Sequence, residues 1–537
     1  MIRSLQLRLA AAAALAGLAV CFGGCTSLGD YLHNGFKVGP NYCQPPAPVA
    51  EHWIDAADIH VNEDPRVLCQ WWTVFHDPKL DEMIVCAYRQ NLTLREAGCR
   101  ILQARALRAM AVGDIFPQNQ TADGAYRRNA AAAGSNSGGL FGLNRFSNSW
   151  NYGFNLNWEL DFWGRFRRAI TAADANLDAS VYDYDFVLVT LLGDVAGNYV
   201  TIRTDEKRIE LLRANVELQQ GLVDYITKRV KAGEQQKLDL EQAVSNLRQT
   251  EAGIPLLEID KRQHEDALCL LLGIPTINLT GTLGAAPIPT SPPDVAIGIP
   301  ADLLRRRPDV RKAERVAAAQ AEQIGIAQAD LYPAFSINGA IGYQAQNFPD
   351  LFRESAFNGN IGPSFQWNVL NYGRIVNNVR YQDAKFQELV VTYQNTVLQA
   401  NEEVENGLVS FLRSQRRSRL LDESVKAAEI ARDIVVFQYK HGAVDFNRYA
   451  VIEQNLVVQQ DSAASALGDI AQGLIAVYRA LGGGWEIRLC NQPPAMPGAA
   501  PAAPIATESL PAPMPAVSNP PAPPTQPVPN LPQTPAR

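Results

Sequence analysis

The side chains here that could carry covalent or metal chemistry are eight cysteines, six histidines and a scatter of carboxylates, and their spacing admits little of it. The histidines at positions 33, 52, 60, 76, 264 and 441 fall at no metal-ligand spacing. Six cysteines, Cys43, Cys69, Cys86, Cys99, Cys269 and Cys490, form no CxxC pair. Cys86 and Cys99, read on a single helix, would stand about 20 Å apart and could not bridge. There is no nucleophile elbow and no phosphate loop, so an enzyme is the least expected class and no metal or small-molecule cofactor is called for. The thiol that stands apart is Cys25. It follows Phe22-Gly23-Gly24 at the end of a basic start (Arg3, Arg8) and an apolar run, so residues 1–24 read as an export signal that leaves Cys25 first in the mature chain.

With 47% hydrophobic residues, 19% charged and a net charge of −7, nothing invites nucleic acid. No run other than the signal approaches the roughly 20 apolar residues of a spanning helix, so any further membrane crossing must use strands. One stretch suits that task. From Trp150 to Phe162, Trp150, Tyr152, Phe154, Leu156, Trp158, Leu160 and Phe162 alternate with Asn, Gly, Glu or Asp, a period of two long enough to cross a bilayer when tilted. Aromatic residues stand at both ends of its apolar face, as interfacial girdles require.

The chain repeats itself. Ile361 to Asn371 echoes that strand, and Trp158/Trp367, Gly164/Gly373, Val195/Val404, Gly233/Gly442 and Gly273/Gly482 keep a constant separation of 209, which marks an internal duplication. Upstream the separation is 216, because Asp114-Ile115-Phe116-Pro117 answers Asp330-Leu331-Tyr332-Pro333. The first copy thus carries seven extra residues in a Gly/Ser/Asn-rich hairpin tip around Gly134 to Asn148. The other two strands are expected at Gln118–Arg128 and Phe335–Gln346.

These strands are positioned by helices. Asp77-Pro78 caps one expected to run to Gly113, and Gly164 opens the longest. Along it Val181, Leu188, Val195, Ile202, Ile209, Val216, Val223 and Val230 recur every seven residues, the pattern of a helix about 100 Å long in coiled-coil packing. The second copy keeps Val390, Val397, Val404, Phe411 and Val425 but has Ser418 and Arg432 on the seam, so it is looser. Each long helix turns at a glycine and returns as another, and Pro255 is expected to kink the first return. Four membrane-length strands per chain cannot close in lipid by themselves, because open edges leave backbone groups unpaired. Three chains would give 12 strands, within the barrel range, whereas two would give 8 and a plugged interior.

The small residues before Cys25 resemble a bacterial lipobox, which implies a covalent lipid on Cys25, and Ser27 in place of Asp favours sorting to the outer membrane. The block from Leu303 to Arg315, LLRRRPDVRKAER, with Ile324-Gly325-Ile326-Ala327, Leu331-Tyr332-Pro333 and Val38-Gly39-Pro40-Asn41-Tyr42, is similar to the signature of the TolC/OprM-type outer-membrane efflux lipoproteins. The resemblance covers about Val38 to Gly484 and implies an α+β membrane protein. A trimeric 12-stranded β-barrel, four strands per chain, would be continued by a long α-helical barrel. It also implies a passive duct for drugs, metals or other small molecules, with three kinds of partner: two further copies in outer-membrane lipid, a periplasmic adaptor (membrane fusion) protein and an inner-membrane resistance-nodulation-division pump. A protein-secretion duct shares the fold and is the nearest alternative; a structural trimeric surface protein is a more distant one.

The expected organisation is a signal (1–24), a lipidated leader (25–76), two structural repeats (77–283 and 284–485) and a Pro/Ala-rich tail (486–537) too poor in apolar residues to build a core. The RRPD block reads as a well-capped, salt-bridged helix start. The resemblance assigns the adaptor to the two turns, with Gly233 and Gln235 in the first and Gly442 and Ala443 in the second. It also sets Asp445 near a constricted periplasmic end, where three carboxylates would form a gate ring. The bland alternative is that Asp445 caps the last helix.

Replacing Cys25 with Ser is expected to abolish incorporation of labelled palmitate while the protein still reaches the membrane; label retained by that variant would refute the lipid assignment.

Overall fold

The computed structural model describes residues 28–62, 69–130, 146–298 and 300–489. Cys25, most of the Gly134–Asn148 tip, Cys490 and the Pro/Ala-rich tail beyond Leu489 lie outside the described residues; the first residues assigned to the tail instead form a 3-10 turn, Trp485–Arg488, that buries Ile487.

The leader begins with a short helix, α1 (Leu28–His33), and a two-residue strand, β1 (Val61–Asn62). The 3-10 turn Trp71–Phe75 then buries Trp71, Trp72 and Phe75. Asp77 caps α2 (Pro78–Gln90) by accepting from the Lys79 and Leu80 amides. The single helix expected from here to Gly113 is in fact two. Asn91 leaves helical geometry (ψ 128°) and its side chain accepts from the Leu94 amide at 2.7 Å, starting α3 (Leu92–Gly113) afresh. Cys86 and Cys99 therefore sit on different helices, and Cys43, Cys86, Cys99 and Cys269 form no disulfide.

Next come β2 (Asn119–Ala130), β3 (Phe146–Glu159), α4 (Arg165–Lys231) and its return α5 (Lys237–Leu271). The short α6 (Thr280–Leu283) and β4 (Val295–Ala296), which pairs with β1 in parallel, lead into the second repeat. That repeat comprises α7 (Leu303–Arg306), α8 (Pro308–Ala329), β5 (Ala334–Ala345), β6 (Phe357–Gln366), α9 (Arg374–Lys440) and α10 (Phe446–Ala480).

The four long strands form one antiparallel sheet in the order β2-β3-β5-β6. Register sets Tyr126, Trp150 and Ala345 side by side at one end and Trp158 beside Ile337 at the other. Both strands that lead into long helices stop earlier than the alternation suggests. Gln366 of β6 lies opposite Ala334, the first residue of β5, so Trp367 to Asn371 find no ladder to join. β3 ends at Glu159 because Asp161 turns away: its carboxylate accepts from the Phe166 and Arg167 amides, both at 3.0 Å, and starts α4 where Gly164 has no side chain to do so.

The heptad seam of α4 is the axis of the core. Leu188, Val195, Ile202, Ile209 and Val223 are buried, while Val181, Val216 and Val230 toward its ends are half-buried. In α9 only Val397, Val404 and Phe411 of the seam are buried. An 18-residue window of α4 is apolar enough to span a membrane (mean hydropathy 1.3), contrary to the expectation of no such run, yet it is 61% buried by neighbouring helices. Packing covers this face. α5 runs unbroken through Pro255.

Ile202 is 0% exposed, so Ile202→Asp should cost at least about 3 kcal/mol, whereas Ile202→Val should cost about 1 kcal/mol. Equal thermal unfolding of the two purified variants would show that the seam is not a core.

Candidate functional site

The sheet has two chemically distinct faces. On one, Trp150, Tyr152, Phe154, Leu156 and Trp158 stand beside Tyr126, Ile337, Ile341 and Tyr343, with Tyr152 stacked on Tyr343 at 5.2 Å. On the other, amides run in rows across the strands. Asn157 donates to Asn338 (2.5 Å), Asn338 donates to the Ser364 hydroxyl (2.6 Å), and Asn155 donates to the Asp123 carboxylate. Such a surface offers hydrogen bonds and little charge to anything passing along it.

Where strands become helices, the duplication is visible in hydrogen bonds. The Trp158 indole donates to the Ile115 carbonyl (3.0 Å), and its counterpart Trp367 donates to Leu331 (2.9 Å). Trp163 adds a third such bond, to Pro333 (2.8 Å), and stacks on Tyr332 at 4.6 Å.

Beneath this layer lies Arg168, a guanidinium with 0% exposure. It donates to the Val38 carbonyl (2.7 Å), the Gly39 carbonyl (2.8 Å) and the Glu322 carboxylate (2.6 Å). A buried charge needs this many partners. The close approach also explains two glycines. A Cβ on Gly39 (φ +92°) would sit 2.7 Å from the Gly325 Cα, and one on Gly325 would overlap the guanidinium. Leader, first repeat and second repeat meet here, so the Val38-Gly39 and Gly325 motifs have a packing role.

The RRPD block is a second bolt. Pro308 opens α8 and Asp309 lies in its first turn, but Arg307 at the cap position caps nothing. It is buried instead, donating to Asp309 (2.6 Å), to Glu403 of α9 (2.6 Å) and to the Ala480 carbonyl at the end of α10 (2.9 Å). Glu314 accepts from Arg315 and from the Tyr42 hydroxyl, both at 2.6 Å.

The two helical turns match one another. Gly233 (φ +75°) and Gly442 (φ +72°) adopt the left-handed conformation that ends α4 and α9, and the next amides, of Glu234 and Ala443, return to the Arg229 and Gln438 carbonyls at 2.9 Å. Gly233, Gly442 and Ala443 are exposed. Gln235 is half-buried, because its amide donates to the Tyr439 hydroxyl (2.8 Å) and to Asp239 (2.9 Å), joining the two turns. Burial pushes the Tyr439 hydroxyl up to about 12, so it stays protonated and can also donate. Asp445 is exposed and caps α10, accepting from the Arg448 amide at 3.0 Å.

Among the described residues no group of three or more His, Cys, Asp or Glu is placed to hold a metal ion. Sequence reasoning did not find Arg168, nor the buried Glu453 and Gln219 near the turns. Arg168 left a trace in its spacing, four residues after Gly164, but nothing in the sequence says which of the neighbouring arginines turns inward.

Residues 84–274 and 299–483 match the sequence model of the family described as outer membrane efflux protein. Over 461 residues the chain is 29% identical to "Nodulation protein T" of Rhizobium leguminosarum bv. trifolii, covering 85% of this chain and 96% of that one. It is also 29% identical to "Pyoverdine export outer membrane protein OpmQ" of Pseudomonas putida, over 78% of this chain and 88% of that protein. Among solved structures, the outer-membrane channel OprN superposes with a TM-score of 0.78 at 29% identity, covering 84% of this chain and 99% of OprN.

As a cap, Asp445 should tolerate Asn with little loss, while Asp445→Ala should destabilise the start of α10 by about 1 kcal/mol, read as faster amide exchange over residues 446–449. Equal exchange in the two variants would mean that the capping bond contributes nothing.

Proposed function

This chain belongs to the outer membrane efflux protein family, and we propose that three copies close one barrel and one helical tube, a passive duct through the outer membrane. The observation that carries the reading is the four-stranded sheet with an aromatic face and two open edges, β2 and β6. In lipid each unpaired backbone group costs several kcal/mol, and a further copy on each edge removes the whole cost. The aromatic face then meets the lipid and the amide rows line the passage. A wall of amides and hydroxyls with few charges suits varied small polar cargo, as the name of the pyoverdine-exporting relative illustrates for that protein.

The covalent lipid on Cys25 would hold the leader at the membrane, since α1 is docked there already: the Tyr31 hydroxyl donates to the Phe162 carbonyl at 2.8 Å. The adaptor would dock at the exposed turns around Gly233, Gly442 and Ala443, which also lie farthest along the helices from the strands, and the inner-membrane pump would deliver cargo through it. Asp445 would add three carboxylates to the periplasmic opening. Its exposure leaves it free to do so while it caps α10.

Cysteines at Gln236 and Ala443, both exposed, should crosslink in cells to the periplasmic adaptor. A cysteine at Asn136, in the hairpin expected outside, should not. Equal crosslinking from all three positions would overturn the orientation and the docking surface together.

A further inference from the structure

Two neighbouring arginines near the hairpin end of β2 serve opposite faces of the sheet. Arg128 stands on the aromatic face, its guanidinium 5.5 Å from the centre of the Phe146 ring. Arg127 points the other way, onto the face that carries Asp123, Asn155 and Asn157. It is exposed and makes no ion pair among the described residues.

Charge is scarce on that face. Of the residues in the four strands that share it, only Asp123, Arg127 and Glu159 are charged. Asp123 accepts from Asn155, and Glu159 lies 3.5 Å from Arg165 at the helical end. Arg127 is the outermost of the three, about 13 Å along β2 from Asp123. Acids to neutralise it are lacking nearby. The sequence between Ala130 and Phe146 holds neither Asp nor Glu. The same face of β6, which closes against β2 in the proposed barrel, carries Asn358, Asn360, Gly362, Ser364 and Gln366, so no register between copies brings a carboxylate from that strand. Asp350 and Glu354 belong to the β5–β6 hairpin, whose Phe348 and Phe352 fold over the opposite, aromatic face onto Trp150 and Tyr152.

A hydroxyl stands beside the guanidinium. Ser149 is directly opposite Arg127 in the ladder. Its oxygen accepts from the Gln344 amide (3.4 Å), and the Gln344 carbonyl accepts from Asn358 (3.4 Å), which leaves the Ser149 proton to donate elsewhere.

We propose that Arg127, assisted by Ser149, is an oxyanion station at the outer mouth of the duct, where small solutes bearing carboxylate groups are held on their way out. This station rests on the duct reading, because it takes three copies in one barrel. Twelve strands stand between the roughly eight whose bore side chains fill and the 16 or more of a wide aqueous pore. Arginine, the longest side chain on this wall, therefore extends well toward the axis. Walls of low dielectric concentrate the field of three such charges. A carboxylate can take two parallel N–H bonds from one guanidinium and a third bond from the hydroxyl, whereas a cation meets a repulsive ring.

The test is single-channel recording of the full-length protein in planar bilayers, with citrate added on the outer side. Citrate should block the wild-type current. Arg127→Gln should raise the half-blocking concentration by about tenfold, the equivalent of one charge-assisted hydrogen bond, and should shift the reversal potential in a salt gradient toward cation preference. Arg127→Lys should keep the wild-type reversal potential yet bind citrate less well, since an ammonium retains the charge without the two-pronged geometry. Arg127→Gln channels that match wild type in both quantities would overturn the station and leave the duct standing. A wild type that passes no current would count against the duct reading, and the station would then be decided by a measurement that needs no current. In detergent, Asn129→Cys, two residues along the same exposed face, should react faster with an anionic than with a cationic thiol reagent, read by mass spectrometry at that peptide. Adding Arg127→Gln should cut that ratio severalfold; an unchanged ratio would overturn the station.

Discussion

A peptide group has no partner in hydrocarbon except another peptide group, and most of this architecture follows from that constraint. Twelve or so residues per strand suffice to cross the membrane, but four strands cannot complete a ring. The chain therefore spends far more of its length on two helical hairpins, whose first arms are 67 residues each, than on its strands. Their long, mostly apolar seams pack the two repeats of the chain together in water. In the proposed trimer the strand edges would drive association in lipid, while the helices pack where the hydrophobic effect operates.

The change from sheet to helix is the place where such a chain could fail, because side-chain periodicity and backbone pairing both change within a few residues. The structure puts its most expensive interactions there. Three indoles donate to carbonyls at the strand ends, and Arg168 satisfies two leader carbonyls and one carboxylate without access to water. A buried guanidinium contributes little net stability, but it tolerates few geometries. It fixes how the leader and both repeats sit together. Arg307 does the same at the C-terminal end of α10.

Periodicity made the strands, the long seam and the duplication legible, because each is a pattern repeated many times and a single exception does not erase it. The ends of elements were not legible. Trp367, Asn368 and Val369 continue the alternation, and they leave the sheet because β5 has no residue left to pair with them. Asn91 is an ordinary helix residue until its side chain takes the Leu94 amide. Gln235 reads as an exposed turn residue, yet it is committed to Tyr439, 204 positions away. Arg168 and Glu453 sit in sequences full of other charges, and only the fold tells which charge turns inward.

The paired indoles of Trp158 and Trp367 show two halves of one chain still making the same bond. In the proposed ring of three chains the turns of both repeats would alternate, so a partner approaching from the periplasm would meet six nearly equal stations. The outer mouth would not share this, because one hairpin carries seven residues more than its counterpart, and the rotation relating the stations there would be a third of a circle. Such a ring would present a different rotational order at each end. A substitution in a turn of either repeat would then be felt at three of six similar places, and one in an outer hairpin at three places with no near-equivalent.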